Sequence, residues 1–541
     1  MAEASVTFFS SSFSIPNPNP KKTLNFPSIL PVLSISTSLK HPQASRSFFT
    51  PSLPSFPASN PNTRRSRENQ CKFRVVSVSS PSRSGSCGIE REEVGAVRWG
   101  CDIDSSENAS YLKRWLSENG LPPQKMAIER VEVGERGLVA LKNIRKGEKL
   151  LFVPPSLVID ANSEWSCPEV GNVLKRNSVP DWPLLATYLI SEASLMESSR
   201  WNEYISALPR QPYSLLHWTR SELDMYLVAS EIRERAIERI TDVTGTYNDL
   251  NLRIFSKQRD LFPEEVYNMD TFRWSFGILF SRLVKLPSMD GRVTLVPWAD
   301  MLNHSSEVET FLDYDKSSQG IVFTTDRSYQ PGEQVFISYG KKSNGELLLS
   351  YGFVSREGTN PNDSVDVAMS INKSDPCYVE KVEALMKHGL STPQRFPLQI
   401  TGWPLELMAY AYLVVSPPNM SQQYEEMAAV ASSKGTSKKN LKYPELEEQA
   451  LQFILDCCES SISKYTKFLD GIGSNIDNSI EISRKQANRK LLLQQLAVDL
   501  CSRERRILFR AQYILRRRLR DMRTGELRAL TILNGFRKLF K

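Results

Sequence analysis

The 541-residue sequence lacks several features that would assign it to a common class of protein. It contains no apolar run of the roughly 20 residues that a membrane span requires, so we expect no membrane segment. Its eight cysteines form no C-x-x-C pair, and His304 has no second histidine nearby, so the sequence predicts no metal site. We interpret the cysteines as reduced thiols packed as small hydrophobic side chains.

Acidic residues are nearly absent from the N-terminus. There is none between Glu3 and Glu68. Residues 1–74 contain nine Lys or Arg and only these two acids, so their net charge of +7 equals the formal charge of the whole chain. The remaining chain is neutral, so its charge gives no reason to expect a nucleic-acid partner. Residues 1–79 are rich in Ser and Pro, which is typical of a transit peptide, and their prolines favour a chloroplast over a mitochondrial address. A disordered tail without a targeting role is the alternative.

Strand and helix patterns alternate along the rest of the chain. Strand patterns cover 126–154 and 293–339, and a helical pattern lies between them. This order predicts one β-rich domain that is interrupted by helices. From about residue 365 the pattern is helical, so the sequence predicts a second, helical region.

Periodicity also predicts which side chains share a face. Alternation places Val139 and Leu141 on one face of the first strand region. In the helical insertion, Leu185 and Met196 fall on one face of a helix.

The C-terminal segment 503–541 is strongly basic, with thirteen basic residues and three acidic ones. A nucleic-acid surface is one interpretation. The regular apolar spacing of Ile507, Ala511 and Leu515 favours the solvated face of an amphipathic helix instead. No RNP, zinc-finger or glycine-rich phosphate motif accompanies the charge.

Three motifs place polar residues beside predicted strands. GERG (134–137) is a tight turn before a strand, PWADMLNHS (297–305) follows an apolar strand, and GEQVFISYG (332–340) ends a strand at a tyrosine. Taken singly, each has an ordinary structural explanation, as a turn, a satisfied histidine or a packed tyrosine.

The third motif makes the most specific structural prediction. Alternation puts Tyr339 on the same face as Val335 and Ile337, so its phenol is expected at the end of a buried strand. Ser343 and Glu346 have the spacing of a capping box, so a short helix should begin directly afterwards.

Together these segments resemble the SET domain. GERGL (134–138), ADMLNHS (299–305) and GEQVFISYGKKSNGELLLSYGF (332–353) occur in the order and approximate spacing of that family. The helical insertion and the helical C-terminal half look like the plant Rubisco large-subunit methyltransferase group in particular. The resemblance runs from about Tyr111 to near the C-terminus and leaves the leader uncovered.

The resemblance implies an α+β fold in which a β-rich SET domain precedes an all-α substrate-binding domain. The SET fold contains a pseudoknot, in which the segment after Asn303 and His304 threads close to the segment of Tyr339. The implied boundaries are 1–79 for a transit peptide or disordered leader, 111–355 for the SET domain, about 165–275 for its helical insertion, and 365–541 for the substrate-binding domain.

The resemblance also implies S-adenosylmethionine as methyl donor and assigns the residues of the site. Tyr339 matches the catalytic tyrosine, and no metal takes part. The other implied site residues are Gly134, Glu135, Arg136, Arg282, Asn303 and His304 for the donor, and Asp300, Tyr351 and Phe353 for the substrate.

The implied function is protein-lysine N-methylation in the chloroplast stroma, by a monomer with a protein partner and without membrane or nucleic acid. The Rubisco large subunit and aldolase are candidate substrates. Leu286 stands where close relatives carry a second substrate-facing arginine, so the substrate stays open. Either Gly134 or Glu135 fits the acidic position of the donor loop. The alternative function is a catalytically inactive SET-like binding module in the plastid, with or without an association with nucleic acid.

Overall fold

The computed structural model describes most of the chain after the leader. All of the described residues belong to one contact unit. The predicted leader, 1–79, and the donor-loop residue Gly134 lie outside them. The described ranges are 97–101, 106–132, 135–433, 441–473 and 484–539.

A helix and an antiparallel hairpin come first. In the hairpin Ile128 pairs with Leu138. Val139 is buried but Leu141 is 46% exposed, so the prediction that they share one strand face is wrong. The strand ends at Ala140, so its alternation does not reach Leu141. The elements are α1 (Ser106–Glu118), β1 (Met126–Glu132), β2 (Glu135–Ala140) and β3 (Lys149–Val153).

A block of helices follows and forms much of the first hydrophobic core. Its elements are α2 (Pro168–Arg176), α3 (Asp181–Ser194), α4 (Asn202–Ser206), α5 (Arg220–Tyr226), α6 (Ile232–Arg253) and α7 (Met269–Arg282). Helix α3 is buried on nearly every side and packs against α7. Met196 lies beyond the end of α3 and is 51% exposed, so the prediction that it shares a helix face with Leu185 is wrong. Helix α7 begins at a capping box on Asn268 and ends at Arg282, which it carries to the strand region.

Short strands then bring two of the sequence motifs together. They are β4 (Val284–Leu286), β5 (Arg292–Thr294), β6 (Asn303–His304), β7 (Asp313–Asp315), β8 (Gly320–Thr324) and β9 (Phe336–Ile337). Strand β6 pairs in parallel with β9, with Asn303 beside Phe336 and His304 beside Ile337. The segment that continues from His304 therefore lies close to the segment that leads to Tyr339, as the pseudoknot requires.

The predicted capping box is confirmed. The Ser343 hydroxyl accepts a hydrogen bond from the backbone N–H of Glu346, and α8 (Asn344–Tyr351) begins there. Strand β9 ends at Ile337, so Tyr339 lies two residues beyond the strand rather than inside it.

The C-terminal region is helical, as predicted, with one antiparallel pair of strands in addition. Val365 lies opposite Leu398 and Val367 opposite Phe396 in this pair, and all four side chains are buried. They alternate with less buried residues, a period of two that the helical interpretation of this segment missed. The elements are β10 (Ser364–Met369), α9 (Tyr378–Lys387), β11 (Gln394–Gln399), α10 (Leu405–Val415), α11 (Tyr424–Ala431), α12 (Pro444–Gly473) and α13 (Arg484–Leu539).

Helix α13 packs one apolar face against α12. Ile507, Ala511 and Leu515 are buried there, which confirms the predicted amphipathic helix. Part of its basic charge is neutralised across the same contact, since Arg516 pairs with Glu459 at 2.8 Å.

Helix α13 also joins the C-terminal region to the helical insertion. Leu493 and Leu500 pack in a cluster with Trp218 of the insertion. Arg489 pairs with Glu222 at 3.0 Å between the two regions. The described regions thus share buried contacts as well as chain connections.

Glu504 is a buried carboxyl group near this junction. It is 3% exposed and accepts a hydrogen bond from the hydroxyl of Tyr465 at 2.9 Å. Burial raises the pKa of Glu504 to about 8, and the nearby carboxylates of Asp363 and Asp366 add to this effect. The group is therefore mostly protonated at neutral pH in the folded protein.

Replacing Glu504 with Gln is expected to stabilise the protein at pH 8.5 but not at pH 5. Because folding raises the pKa of Glu504 from 4.5 to about 8, the folded state holds more protons in that window and stability falls as pH rises. Gln stays neutral, so its advantage in the free energy of unfolding should grow by on the order of 3 kcal/mol between these pH values. Urea denaturation at both pH values measures it, with Glu459→Gln as control. An advantage that does not change with pH contradicts the prediction.

Candidate active site

Tyr339 lies just beyond β9, with its phenol directed at the segment of β6. The hydroxyl donates a hydrogen bond to the carbonyl oxygen of Leu302, with 2.7 Å between the two oxygens. The backbone N–H of Tyr339 donates to Nδ1 of His304 at 3.1 Å. Burial raises the pKa of Tyr339 to about 12. The phenol therefore keeps its proton at neutral pH, and Leu302 accepts that proton in a hydrogen bond.

His304 packs against Tyr339 and is neutral. The two rings stack with their centroids 5.2 Å apart and an angle of 22° between the planes. Because Nδ1 accepts from Tyr339, the ring proton belongs on Nε2, which lies 3.2 Å from the hydroxyl oxygen of Ser306. Burial lowers the pKa of His304 to about 4. His304 thus holds the Tyr339 backbone without adding a charge.

Further ring contacts extend this stack into an aromatic wall, formed by His304, Tyr339, Tyr351 and Phe353. Tyr339 stacks on Tyr351 with centroids 4.7 Å apart, and Phe353 lies 6.2 Å from Tyr351. Gly352, with φ +83°, turns the chain between Tyr351 and Phe353. A Cβ at Gly352 would lie 2.6 Å from the backbone of another segment. Glycine is therefore required for the turn that returns Phe353 to the wall.

Arg282, at the C-terminal end of α7, is held by Asp300. Its Nη1 donates to the backbone carbonyl of Asp300 at 2.8 Å and to Oδ2 at 3.2 Å. The Asp300 side chain is 1% exposed, and Oδ2 also accepts from the hydroxyl of Tyr204 at 2.8 Å. Burial raises the pKa of Asp300, while Arg282 and Tyr204 favour its charged form. The Nε of Arg282 has no hydrogen-bond partner among the described residues.

The hairpin of β1 and β2 closes the other side of the site. Asn303 donates from Nδ2 to the backbone carbonyl of Arg136 at 3.1 Å. The guanidinium of Arg136 donates to the carbonyl of Ala207. At Gly137 a Cβ would lie 2.4 Å from Nε2 of Gln334 and 2.9 Å from Nδ2 of Asn303, so the absent side chain lets three segments meet.

Comparison with known protein families shows which of them this chain resembles. The family described as SET domain matches residues 135–340, from the start of β2 to just past Tyr339. This part of the chain has the SET-domain fold. Behind the SET domain the chain carries a second family match, described as Rubisco LSMT substrate-binding, at 372–508.

The chain is similar to methyltransferases from plants and animals. It is 31% identical over 296 residues to the chloroplastic ribulose-1,5 bisphosphate carboxylase/oxygenase large subunit N-methyltransferase of Pisum sativum, covering 53% of this chain and 59% of that protein. The corresponding protein of Nicotiana tabacum is 27% identical over 440 residues, covering 76% and 84%. The actin-histidine N-methyltransferase of Canis lupus familiaris is 27% identical over 322 residues, covering 56% and 52%. The chain thus spans little more than half of the pea and dog proteins.

Solved structures with the same fold include Rubisco LSMT. The structure of Rubisco LSMT bound to AdoMet gives a TM-score of 0.58 at 24% identity, covering 77% of this chain and 93% of that one. The SET domain of LSMT bound to lysine and AdoHcy gives 0.59 at 24% identity, covering 76% and 91%. At this level of identity the likeness establishes the fold.

Most of the predicted site residues lie in the two groups described above, around Tyr339 and around Arg282. Glu135 is exposed at the start of β2, but its carboxylate is close enough to Tyr339 to help raise the pKa of that phenol. Gly134 lies outside the described residues. Leu286 is fully buried in β4, so its side chain faces the core and not a protein partner.

Three participants were missed by the sequence analysis. Tyr204 reaches Asp300 from the helical insertion, 96 residues away, and no local motif marks it. The carbonyl of Leu302 is a backbone group, which side-chain motifs do not report. The Nε2 of Gln334 is buried without a partner among the described residues. Gln334 lies inside a predicted strand, and no motif indicated a role for its side chain.

Three further findings concern the described part of the chain. None of its helices combines the length and apolar character that crossing a membrane requires. No group of three or more His, Cys, Asp or Glu side chains in it is arranged to hold a metal ion. The six cysteines in this part are free thiols.

Proposed function

We propose that the chain is an S-adenosylmethionine-dependent protein-lysine N-methyltransferase of the chloroplast stroma. The observation that carries the proposal is the hydrogen bond from Tyr339 to the carbonyl of Leu302 within the aromatic wall. In this site Tyr339 is the catalytic residue. The donor-binding residues would be Gly134, Glu135, Arg136, Arg282, Asn303 and His304, and Asp300, Tyr351 and Phe353 would contribute to the substrate side.

The target amine must be neutral to attack. At pH 7.4, removing the proton from a lysine with its reference pKa costs about 4 kcal/mol. The aromatic wall offers a poorly hydrated surface, which disfavours the ammonium form. The ammonium of Lys342 lies 5.9 Å from the centre of the Tyr351 ring and opposes a second positive charge nearby. Both effects lower the pKa of an amine bound along the wall.

Tyr339 then orients the neutral amine. Its proton is engaged by Leu302, so the lone pairs of its oxygen are free to accept an N–H from the amine. An amine held in this way has its own lone pair directed away from the phenol, towards the methyl group. The amine gains positive charge as it reacts, and the fixed phenol oxygen stabilises that charge without having to reorient.

The residues around Arg282 fit S-adenosylmethionine. The unpartnered Nε of Arg282 can donate to a carboxylate, and the absence of a side chain at Gly137 lets Asn303 approach the hairpin closely. When bound, the donor supplies a methyl group activated on a sulfonium. His304, with a pKa lowered by burial to about 4, adds no cation next to that sulfonium.

The cellular part of the proposal rests on sequence. The leader has the composition of a transit peptide, and the pea and tobacco relatives are named chloroplastic. Those relatives are named for the Rubisco large subunit, which makes it the first candidate substrate, with aldolase as the second. The dog relative is named for a histidine of actin, so the test must also identify the type of residue that receives the methyl group. The aromatic wall favours lysine, because the long aliphatic stem of a lysine side chain packs well along an apolar surface.

Methyl transfer from radiolabelled S-adenosylmethionine to proteins of a stromal extract tests the proposal. We expect the full chain to label a protein band, and excess S-adenosylhomocysteine to suppress the label. Mass spectrometry of the band should place the methyl group on a lysine.

Other outcomes would change the proposal in defined ways. Methylhistidine in the labelled band would overturn the lysine assignment and retain the methyltransferase. Donor binding without any labelled protein would favour the inactive SET-like module. Salt-sensitive binding of DNA or RNA together with no transfer would favour a nucleic-acid-associated role.

A further inference from the structure

We propose that Arg239, on helix α6 of the insertion, is an electrostatic residue of the methyl-transfer site, whose positive charge beside Tyr351 favours the neutral form of the acceptor amine. The inference rests on the proposed function, because it concerns the amine that would bind along the aromatic wall. It assigns a role to a side chain of the insertion that belongs to none of the three sequence motifs.

Arg239 lies between the two helices that carry parts of the site. Its guanidinium lies over the ring of Phe280 on α7, 4.6 Å from the ring centre. Its Nη1 donates to the hydroxyl oxygen of Ser350 on α8 at 2.8 Å. Phe280 lies two residues before Arg282, and Ser350 directly precedes Tyr351 of the aromatic wall. The charge is therefore held next to the wall by contacts to two helices.

Both of these contacts are to groups without a formal charge. No carboxylate of the described residues forms an ion pair with Arg239. Its neighbour Arg235, in contrast, pairs with Glu346 and with Asp366 at 3.4 Å each. Desolvation lowers the pKa of Arg239 to about 10, so the guanidinium keeps its charge at neutral pH. Arg239 thus contributes a positive charge that no bonded carboxylate cancels.

The hydroxyl of Tyr351 shows that this charge acts on the wall. Burial and the neighbouring phenol of Tyr339 raise the pKa of Tyr351, whereas Arg239 acts in the opposite direction. A cation that favours proton loss from this phenol also favours proton loss from an ammonium group bound at the same ring. Because the wall is poorly hydrated, water screens the interaction only weakly. An acceptor amine on the wall is therefore subject to the same field.

Other charged groups face the same region, and they act with both signs. Glu346 opposes Arg239 at Tyr351, but its carboxylate is held by Arg235 at 3.4 Å. Lys342 acts in the same direction as Arg239, and desolvation lowers its pKa. Further titratable groups at the wall or around Arg239 are Glu135, Asp242, Arg282, Asp300 and His304. Substituting Arg239 alone removes one positive charge and leaves all of these groups in place.

Coulomb's law gives the expected size of the effect. A unit charge about 10 Å away shifts the pKa of an amine by roughly one unit at an effective dielectric constant of about 20. Removing the charge of Arg239 should therefore raise the pKa of the bound amine by about 0.5 to 1 unit. Below that pKa only the neutral fraction reacts, so the rate at a given pH should fall about three- to tenfold.

The pH dependence of kcat for methyl transfer to stromal proteins by the full chain tests this, with two variants. Arg239→Gln removes the charge and keeps an N–H that can donate to Ser350, whereas Arg239→Lys keeps the charge. Between about pH 6.5 and 9.5, we expect Arg239→Gln to displace the profile to higher pH by about 0.5 to 1 unit and to leave the plateau unchanged. Arg239→Lys should follow the wild type. The Kd for S-adenosylhomocysteine should stay within about twofold for both variants.

Arg200→Gln is the matched control. The guanidinium of Arg200 also lies 4.6 Å from the centre of an aromatic ring, that of Trp201. It likewise donates to an uncharged acceptor, the carbonyl oxygen of Ser156 at 2.9 Å. Because Arg200 is not part of the proposed site, its substitution should leave the pH profile where it is in the wild type.

The proposed function and the role of Arg239 fail in different ways. If the wild-type chain labels no stromal protein, the proposed function is wrong. If the wild type transfers methyl groups and Arg239→Gln lowers the plateau without displacing the profile, Arg239 has a merely structural role and the inference is overturned. An unchanged profile for Arg239→Gln, or an equal displacement by Arg239→Lys, overturns it as well.

Discussion

Replacing Tyr339 with Phe is expected to lower kcat for methyl transfer by a factor of about 10² to 10³, while the Kd for S-adenosylhomocysteine stays within about twofold. The phenol oxygen is the group that accepts a hydrogen bond from the attacking amine, so its removal affects the transition state. Phe keeps the ring stacked between His304 and Tyr351, so the aromatic wall should persist. Single-turnover rates together with calorimetric titration separate these two effects.

A matched variant controls for the loss of a buried phenol. Tyr410 lies in the C-terminal region, donates to the backbone carbonyl of Met369 at 3.2 Å and has a pKa raised by burial to about 12, as Tyr339 does. Tyr410→Phe should cost similar stability and leave kcat unchanged. A kcat for Tyr339→Phe within tenfold of the wild type would remove Tyr339 from the catalytic role.

Gly277→Ala is expected to destabilise the protein by at least about 2 kcal/mol, although alanine is ordinarily the better residue in a helix. A Cβ at this position of α7 would lie 2.2 Å from Cε1 of His217. The His217 ring is 4% exposed and its Nδ1 lies 3.2 Å from the hydroxyl of Ser214, so it has little freedom to move. Overpacking against a rigid ring should outweigh the gain in helix propensity of about 1 kcal/mol.

The chain provides the opposite case in α6. A Cβ at Gly245 would meet nothing within 4 Å, so Gly245→Ala should stabilise by up to about 1 kcal/mol. Urea midpoints at constant m-value compare the two variants. Adding His217→Ala should recover part of the loss in Gly277→Ala, because the two sites share one contact. If Gly277→Ala proves as stable as Gly245→Ala, the packing at His217 is looser than described.

The sequence predicted the parts of the site that lie on short motifs. The order of the segments around Arg136, Asn303 and Tyr339 was enough to expect them close together, because it matched a family with a known path of the chain. The capping box at Ser343 was readable because its two partners are three residues apart. Local rules work where the interaction is itself local.

The remaining features depend on contacts that no local pattern records. Tyr204 meets Asp300 across 96 residues, and Tyr339 donates to a backbone carbonyl, so neither bond has a sequence signal. Periodicity also gave wrong predictions at the ends of elements, as at Leu141 and Met196. The apolar pattern of the sequence continues there after the strand or helix has ended. Element ends are decided by packing with distant segments.

The parallel pairing of β6 with β9 has a consequence for how the protein is made. Asn303 binds the carbonyl of Arg136, 167 residues earlier, and pairs with Phe336, which leaves the ribosome later. Contacts of such long range form slowly, because the entropy of closing the loops is lost before the contacts stabilise the chain. The pairing of β6 with β9 therefore waits until Phe336 has been made. The site is complete only when this last motif threads into position beside β6.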